Sequence, residues 1–171
     1  DIQILSAEVM PEGFHARYSC VGKTYRYIID RSGSIWNRKQ VYQLEDELDI
    51  EAMRRAAKHI VGTHDFKAFE TAGGTPRETT VRTIYDLKIF NEGNKTVLEV
   101  TGDGFLYNMV RIMTGTLVEV GLGKRTEASV AEALEACDRQ LAGFTAPPQG
   151  LYLKQIYFKE EDLWKSVHSE Q

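Results

Sequence analysis

A chain of 171 residues that is 42% apolar has enough hydrophobic content to bury a full core within one domain. It carries no apolar run of membrane-spanning length and nothing that reads as a secretion signal. Its net charge of −4 argues against a basic, nucleic-acid-binding surface over the whole chain, though a local basic patch remains compatible with it. Cys20 and Cys137 lie far apart and outside any C-x-x-C pair, so a structural zinc site is not expected; they read as buried thiols of a cytoplasmic protein.

Asp1 opens the chain without a methionine, inside a segment that already reads as a strand through Ile2, Ile4, Ala7 and Val9. This leads us to expect part of a longer or processed protein. Residues 14–30 read as the next strand, with Tyr25, Tyr27 and Ile29 alternating against Thr24, Arg26 and Ile28. A loop with Ser32-Gly-Ser34 and an acidic cluster (Glu45, Asp46, Glu47, Asp49) follows. Asp49 is placed to cap a helix running to Val61, with Ile50, Met53, Ala57 and Ile60 inward and Gly62 as its stop. Residues 71–80 read as a loop around Gly-Gly-Thr-Pro. Val81–Phe90 alternates as a strand, and Asn91-Glu-Gly-Asn94 turns it into a second, Val97–Thr101.

Phe105–Gly123 then predicts an apolar helix whose inward stripe is Leu106, Met109, Val110, Met113, Leu117 and Val120. Arg111 lies off that stripe, in a column of small or polar residues with Gly104, Asn108 and Gly115, where a guanidinium has room to lie along the helix. The nearest acids in this stretch, Asp103 and Glu119, are eight residues away on either side, about 12 Å along the axis. Arg111 therefore either reaches solvent from a packed stem or meets a partner that is distant in the chain or is a ligand. Thr126 is placed to cap a further helix with Val130, Leu134, Cys137 and Leu141 inward, broken by Ala146-Pro-Pro-Gln-Gly150. Leu151–Phe158 reads as the last strand. Residues 159–171 form a charged tail with a short helix expected around Leu163 and Trp164. Hairpin-paired strands with helices on one face predict an α+β domain over residues 1–158 with an antiparallel or mixed sheet.

Three further segments could carry chemistry. Phe14-His-Ala-Arg-Tyr-Ser19 with Lys23-Thr-Tyr-Arg-Tyr27 interleaves bases and aromatics as an RNA-stacking surface would, or is a half-buried edge strand with solvated arginines. Thr79-Thr-Val-Arg-Thr83, with Arg77 nearby, could bind phosphate or simply enter a strand. Ala146-Pro-Pro-Gln-Gly-Leu-Tyr-Leu153 fixes a rigid turn that either presents Leu151 to a cleft or merely connects two elements. His15 and His64 lack partners at metal spacing and read as structural or phosphate-facing, and neither a nucleophile elbow nor a phosphate-binding glycine loop is present.

Together, Phe14-His-Ala-Arg-Tyr-Ser with Lys-Thr-Tyr-Arg-Tyr-Ile, His64-Asp-Phe, Thr80-Val-Arg, Phe105-Leu-Tyr-Asn-Met-Val-Arg and Ala146-Pro-Pro-Gln-Gly-Leu-Tyr-Leu resemble the C-terminal half of the tRNA pseudouridine synthase A family, in order, over about residues 1–158. The resemblance implies an isomerase that turns uridine into pseudouridine around positions 38–40 of the tRNA anticodon arm, as a cytoplasmic homodimer needing no metal or organic cofactor. The family's catalytic aspartate sits in a Gly-Arg-Thr-Asp-Ala-Gly-type motif that this chain lacks, so an N-terminal catalytic half is an expected partner and the chain alone is expected to be inactive. By the same resemblance Arg111 pairs with that aspartate, Tyr25 lies against the target base for proton transfer at C5, and Leu151 closes the pocket behind the base. Phe105, Arg17, Lys23, Arg26 and Arg82 are the further candidate substrate contacts. The alternatives are a stand-alone RNA-binding or dimerisation module without catalysis, and an α+β protein whose arginines hold a small anion.

Overall fold

The computed structural model describes residues 2–74 and 78–168. Strand β1 (Gly22–Asp30) is the hub of a mixed sheet. On one side it pairs antiparallel with β5 (Lys95–Gly102), which pairs with β4 (Val81–Glu92), which pairs with the short β3 (Gly62–Asp65). Its other edge is shared. The last strand, β6 (Leu151–Tyr157), runs antiparallel along its first part, and β2 (Tyr42–Gln43) runs parallel to its end. β4 and β5 form the expected hairpin: Glu92 pairs with Lys95 across a turn in which Gly93 adopts φ 58°.

The alternation in β1 decides the layers. Tyr27 and Ile29 are fully buried on the face covered by α1 (Ile50–Ala57), α2 (Met109–Gly121) and α3 (Ala128–Ala136). The fold class is therefore the α+β arrangement expected. Thr24 belongs to the alternate set, hydrogen-bonded to Thr101 (2.8 Å) and to the hydroxyl of Tyr157 (3.0 Å), which continues to Ser166 (2.7 Å). Ser166 lies on α4 (Glu160–His168), so part of the charged tail packs onto the second face; Leu163 is buried there beside Gly22, where a Cβ would sit 3.0 Å from its methyls.

Local chemistry explains the element boundaries. Asp49 caps α1 as expected, its carboxylate accepting from the Ala52 N–H (2.9 Å). Its own N–H donates to Gly121 O (2.9 Å), which joins the start of α1 to the end of α2. α2 is apolar on nearly every side and is buried accordingly, and all six stripe residues lie in the core. It begins at Met109 rather than Phe105, because Asn108 takes a left-handed conformation (φ 62°, ψ 6°) that stops the helix from extending backwards.

Other expectations are corrected. Residues 2–9 form no strand, and Ile2, Ile4, Leu5 and Val9 are exposed, so nothing supplies the pairing and burial that alternation needs. Phe14–Ser19 is a turn, not strand: the ring Nδ1 of His15 accepts from the Arg17 N–H (3.1 Å), and its carbonyl accepts from Ser19 N–H (2.8 Å). α3 starts after Glu127 without a side-chain cap from Thr126, and ends at Ala136 because Cys137 turns left-handed (φ 52°). Leu141 is consequently outside the helix and exposed. Both thiols are half-buried rather than buried.

The column of α2 that held room for a guanidinium holds backbone instead. Residues 142–147 run along it as a strap. Gly143 N–H donates to Thr116 Oγ1 (2.8 Å), Ala146 N–H donates to the Arg111 carbonyl (3.1 Å), and a Cβ on Gly115 would fall on the Phe144 carbonyl oxygen. Gly143 also meets the helix closely, with the Thr116 Cα 2.6 Å from where its Cβ would be. The strap's far end is fixed by the phenol of Tyr27, which donates to Pro147 O (2.6 Å).

Gly115→Ala should thus force the strap off α2. We expect a loss of about 1–3 kcal/mol or more, the range for overpacking a filled site, seen as a lower denaturant midpoint with an unchanged slope.

Alkali should weaken the same anchor. Burial first, then the neighbouring Tyr42, pushes the Tyr27 phenol far above its ordinary value, with Arg111 opposing in part. Burial, then Asp46, raises Tyr42. The unfolded chain gives up phenolic protons near pH ~10 while the folded chain keeps them. The unfolded state then binds fewer protons, so this contribution is complete below that pH and stability falls as pH rises above it. Tyrosinate absorbance should show part of the tyrosine signal appearing only with unfolding; smooth ionisation of all eight tyrosines in the folded protein would contradict the burial argument.

Candidate active-site cleft

Three elements converge on a cleft of about 380 Å³ whose walls include Arg17, Tyr25, Glu70, Phe105, Asn108 and Leu151. Tyr25 projects from β1 opposite a bulge in β6: Thr24 pairs with Gln155 but Tyr25 pairs with Leu153, leaving Lys154 as the extra residue. Phe105 comes from the loop between β5 and α2 and packs edge-on against the Tyr25 ring, with centroids 5.1 Å apart. Leu151 is delivered by the rigid turn before β6. That turn fits because Gly150 has no side chain: a Cβ there would lie 2.7 Å from the Tyr27 ring. Burial raises the Tyr25 phenol above its ordinary value, so it holds its proton at neutral pH.

Arg111 lies on α2 one turn beyond Asn108. Its Nε donates to the Ala146 carbonyl (2.6 Å) and its Nη1 to Asn108 Oδ1 (2.8 Å). The partner distant in the chain is thus the strap. Among the described residues both acceptors are neutral, and Arg111 makes no ion pair with a carboxylate, although Glu70 lines the same cleft.

A second hollow of about 340 Å³ adjoins the first, sharing Arg17 and Phe105 and adding Lys23 and Arg82. Arg82 is held by the Thr79 carbonyl (3.0 Å), and the Asp103 carboxylate accepts from the Thr83 N–H (3.0 Å). Cations therefore cluster beside the aromatic cleft despite the acidic net charge. Arg77 lies outside the described residues.

Arg26 is not brought to this group. Alternation turns it to the opposite sheet face, where it is ion-paired with Glu92 and, at 3.6 Å, with Glu99; Glu99 in turn holds Lys154 (2.7 Å). By the period-two geometry of β1 it lies outside both hollows. His15 organises its turn, and His64 packs edge-on against Phe66 at 5.7 Å. Among the described residues no cluster of three or more His, Cys, Asp or Glu is placed to hold a metal.

Two cleft residues were not singled out from sequence. Glu70 follows a short 3-10 turn (Lys67–Phe69), and no local pattern marks it. Asn108 was visible only as a polar member of the Arg111 column. Its signal is the spacing of three from an unpaired arginine, joined to the tolerance of asparagine for positive φ.

The family model described as tRNA pseudouridine synthase matches residues 56–159. A curated relative named tRNA pseudouridine synthase A 2, from Clostridium tetani (strain Massachusetts / E88), is 48% identical over 160 residues, covering 92% of this chain and 64% of the relative. The tRNA pseudouridine synthase A of Bacillus subtilis (strain 168) is 44% identical over 160 residues, with 92% and 64% covered. That of Ruminiclostridium cellulolyticum (strain ATCC 35319 / DSM 5812 / JCM 6584 / H10) is 48% identical over 161 residues, with 92% and 65% covered. The chain thus spans about 65% of the length of the curated relatives it matches. With β4 to β6 and α2, which bear on the cleft together with β1, inside the matched region, and with these relatives covering 92% of its length, the chain belongs to the tRNA pseudouridine synthase family.

Proposed function

We propose that this chain is the C-terminal part of a tRNA pseudouridine synthase that isomerises uridine to pseudouridine in the anticodon arm, around positions 38–40. The observation that carries the reading is one wall of a pocket, where Tyr25, Phe105 and Leu151 meet beside an arginine whose charge has only neutral acceptors. The reaction breaks the bond between uracil N1 and the ribose C1′, turns the ring, joins C5 to C1′, and moves the C5 proton away while N1 gains one. A site for it must hold a base out of its stack and keep the detached ring from escaping. The Tyr25–Phe105 pair and Leu151 offer aromatic and apolar walls for that ring. The Tyr25 phenol, protonated at neutral pH, suits a hydrogen-bonding and proton-relaying role at C5 better than that of a standing base.

The nucleophilic aspartate belongs, in this reading, to a segment outside these residues. Arg111 supports that assignment, because a planar, permanently charged guanidinium orients an ionised carboxylate well. Arg17, Lys23 and Arg82, in the adjoining hollow, are suited to the phosphates flanking the flipped nucleotide. A homodimer working in the cytoplasm, without metal or organic cofactor, completes the proposal.

Two assays test it. Tritium release from tRNA labelled at uridine C5 should be absent with the 171-residue chain alone and present with the complete protein; turnover by the chain alone would sink the assignment of the nucleophile elsewhere. In the complete protein, Tyr25→Phe should leave tRNA binding intact while lowering turnover by ~10²–10⁴-fold, the usual worth of a general acid–base group. A Phe variant with normal turnover would limit Tyr25 to packing.

A further inference from the structure

Asn108 joins three features that the proposed chemistry does not explain. It is one of two non-glycine residues with positive φ among the described residues. It lines the cleft. Its side-chain amide is also held at both ends: Nδ2 donates to Thr71 Oγ1 (2.8 Å), and Oδ1 accepts from Arg111 Nη1 (2.8 Å). The orientation of the amide follows from chemistry. A guanidinium only donates, so the amide oxygen must face it, and the amide nitrogen must then face Thr71. Thr71 is itself tied to the entry of α2, its N–H donating to Tyr107 O (3.3 Å). A backbone conformation that non-glycine residues seldom adopt is thus fixed from several sides.

The result for Arg111 is a two-point clamp. Ala146 O holds Nε and Asn108 Oδ1 holds Nη1, so the guanidinium plane cannot turn about its stem. Both acceptors are uncharged. An aspartate at position 108 could accept the same hydrogen bond but would neutralise the cation within the chain.

We propose that Asn108 is a positioning residue: locked by Thr71, its amide orients Arg111 while leaving the charge uncompensated for a carboxylate arriving from outside these residues. This deepens the reading given under Proposed function and rests on it.

The test uses the complete protein, with tritium release from labelled tRNA, tRNA binding and thermal melts measured in parallel. Asn108→Gly tolerates the positive φ and removes the side chain that carries the amide. Its melt should stay close to wild type and its KM for tRNA should be little changed. Its kcat should fall by about 10²-fold, the cost of a misplaced catalytic group. Asn108→Asp should melt no lower than wild type, because the new carboxylate pairs with Arg111, yet should also lose kcat. Thr71→Val should reproduce part of the loss, and Thr71→Ser should restore it. A merely structural role predicts instead that activity falls in step with stability across the set. Asn108→Gly turning over within about threefold of wild type, on the usual reading of kcat as transition-state stabilisation, would overturn the positioning role alone. A wild-type protein that releases no tritium would overturn the proposed function and this inference with it.

Discussion

The close approach of residues 142–147 to helix α2 is the constraint on which the rest of the structure depends. Backbone meets backbone there: Gly115 and Gly143 leave no room for side chains, and Thr116 and Arg111 supply the hydrogen bonds that a buried connection needs. The same six residues then determine where the chain goes next. Pro147 accepts from the Tyr27 phenol, Gly150 passes the Tyr27 ring, and Leu151 enters β6 at the wall of the cleft. The Ala146 carbonyl, fixed by this path, is also the acceptor that holds Arg111 Nε. Core packing, delivery of Leu151 and orientation of Arg111 are thus consequences of one contact. A change in any of the glycines that permit it should be felt in the cleft, although none of them lines it.

Much of this was legible in the sequence, for identifiable reasons. The β4–β5 hairpin, the Asp49 cap and the inward stripe of α2 rest on local rules of period, capping and turn chemistry, and each appears in the fold. The errors fall where a local pattern lacked its tertiary counterpart. Residues 2–9 alternate like a strand but have no neighbour to pair with, and Phe14–Ser19 is diverted into a turn by the ring and carbonyl of His15. The small-and-polar column of α2 reads in sequence as room for the Arg111 guanidinium, but what fills it is chain from about thirty residues downstream, and no helical wheel shows that. Glu70 reaches the cleft only because β3 and the turn after it fold back toward α2.

Arg26 and Arg111 show why residue type alone does not mark a site. Both are half-buried arginines, and both were plausible contacts on sequence grounds. Arg26, on the face of β1 away from α1–α3, meets Glu92 and Glu99, and with Lys154 beside Glu99 the charges nearly balance. Its ion pairs belong to the architecture, and being partly exposed they contribute little to stability. Arg111, beside the cleft, meets a carbonyl and an amide. Those acceptors satisfy its hydrogen-bonding geometry without cancelling its charge, and separating the two requirements is what a group awaiting an anion needs. The sheet enforces the distinction. Residues of β1 one position apart are sent to opposite faces, so Tyr25 enters the cleft while Arg26 is committed to a closed charge network. The chemistry proposed for this domain can therefore be concentrated on one face, because Arg26 is held on the other by its own ion pairs.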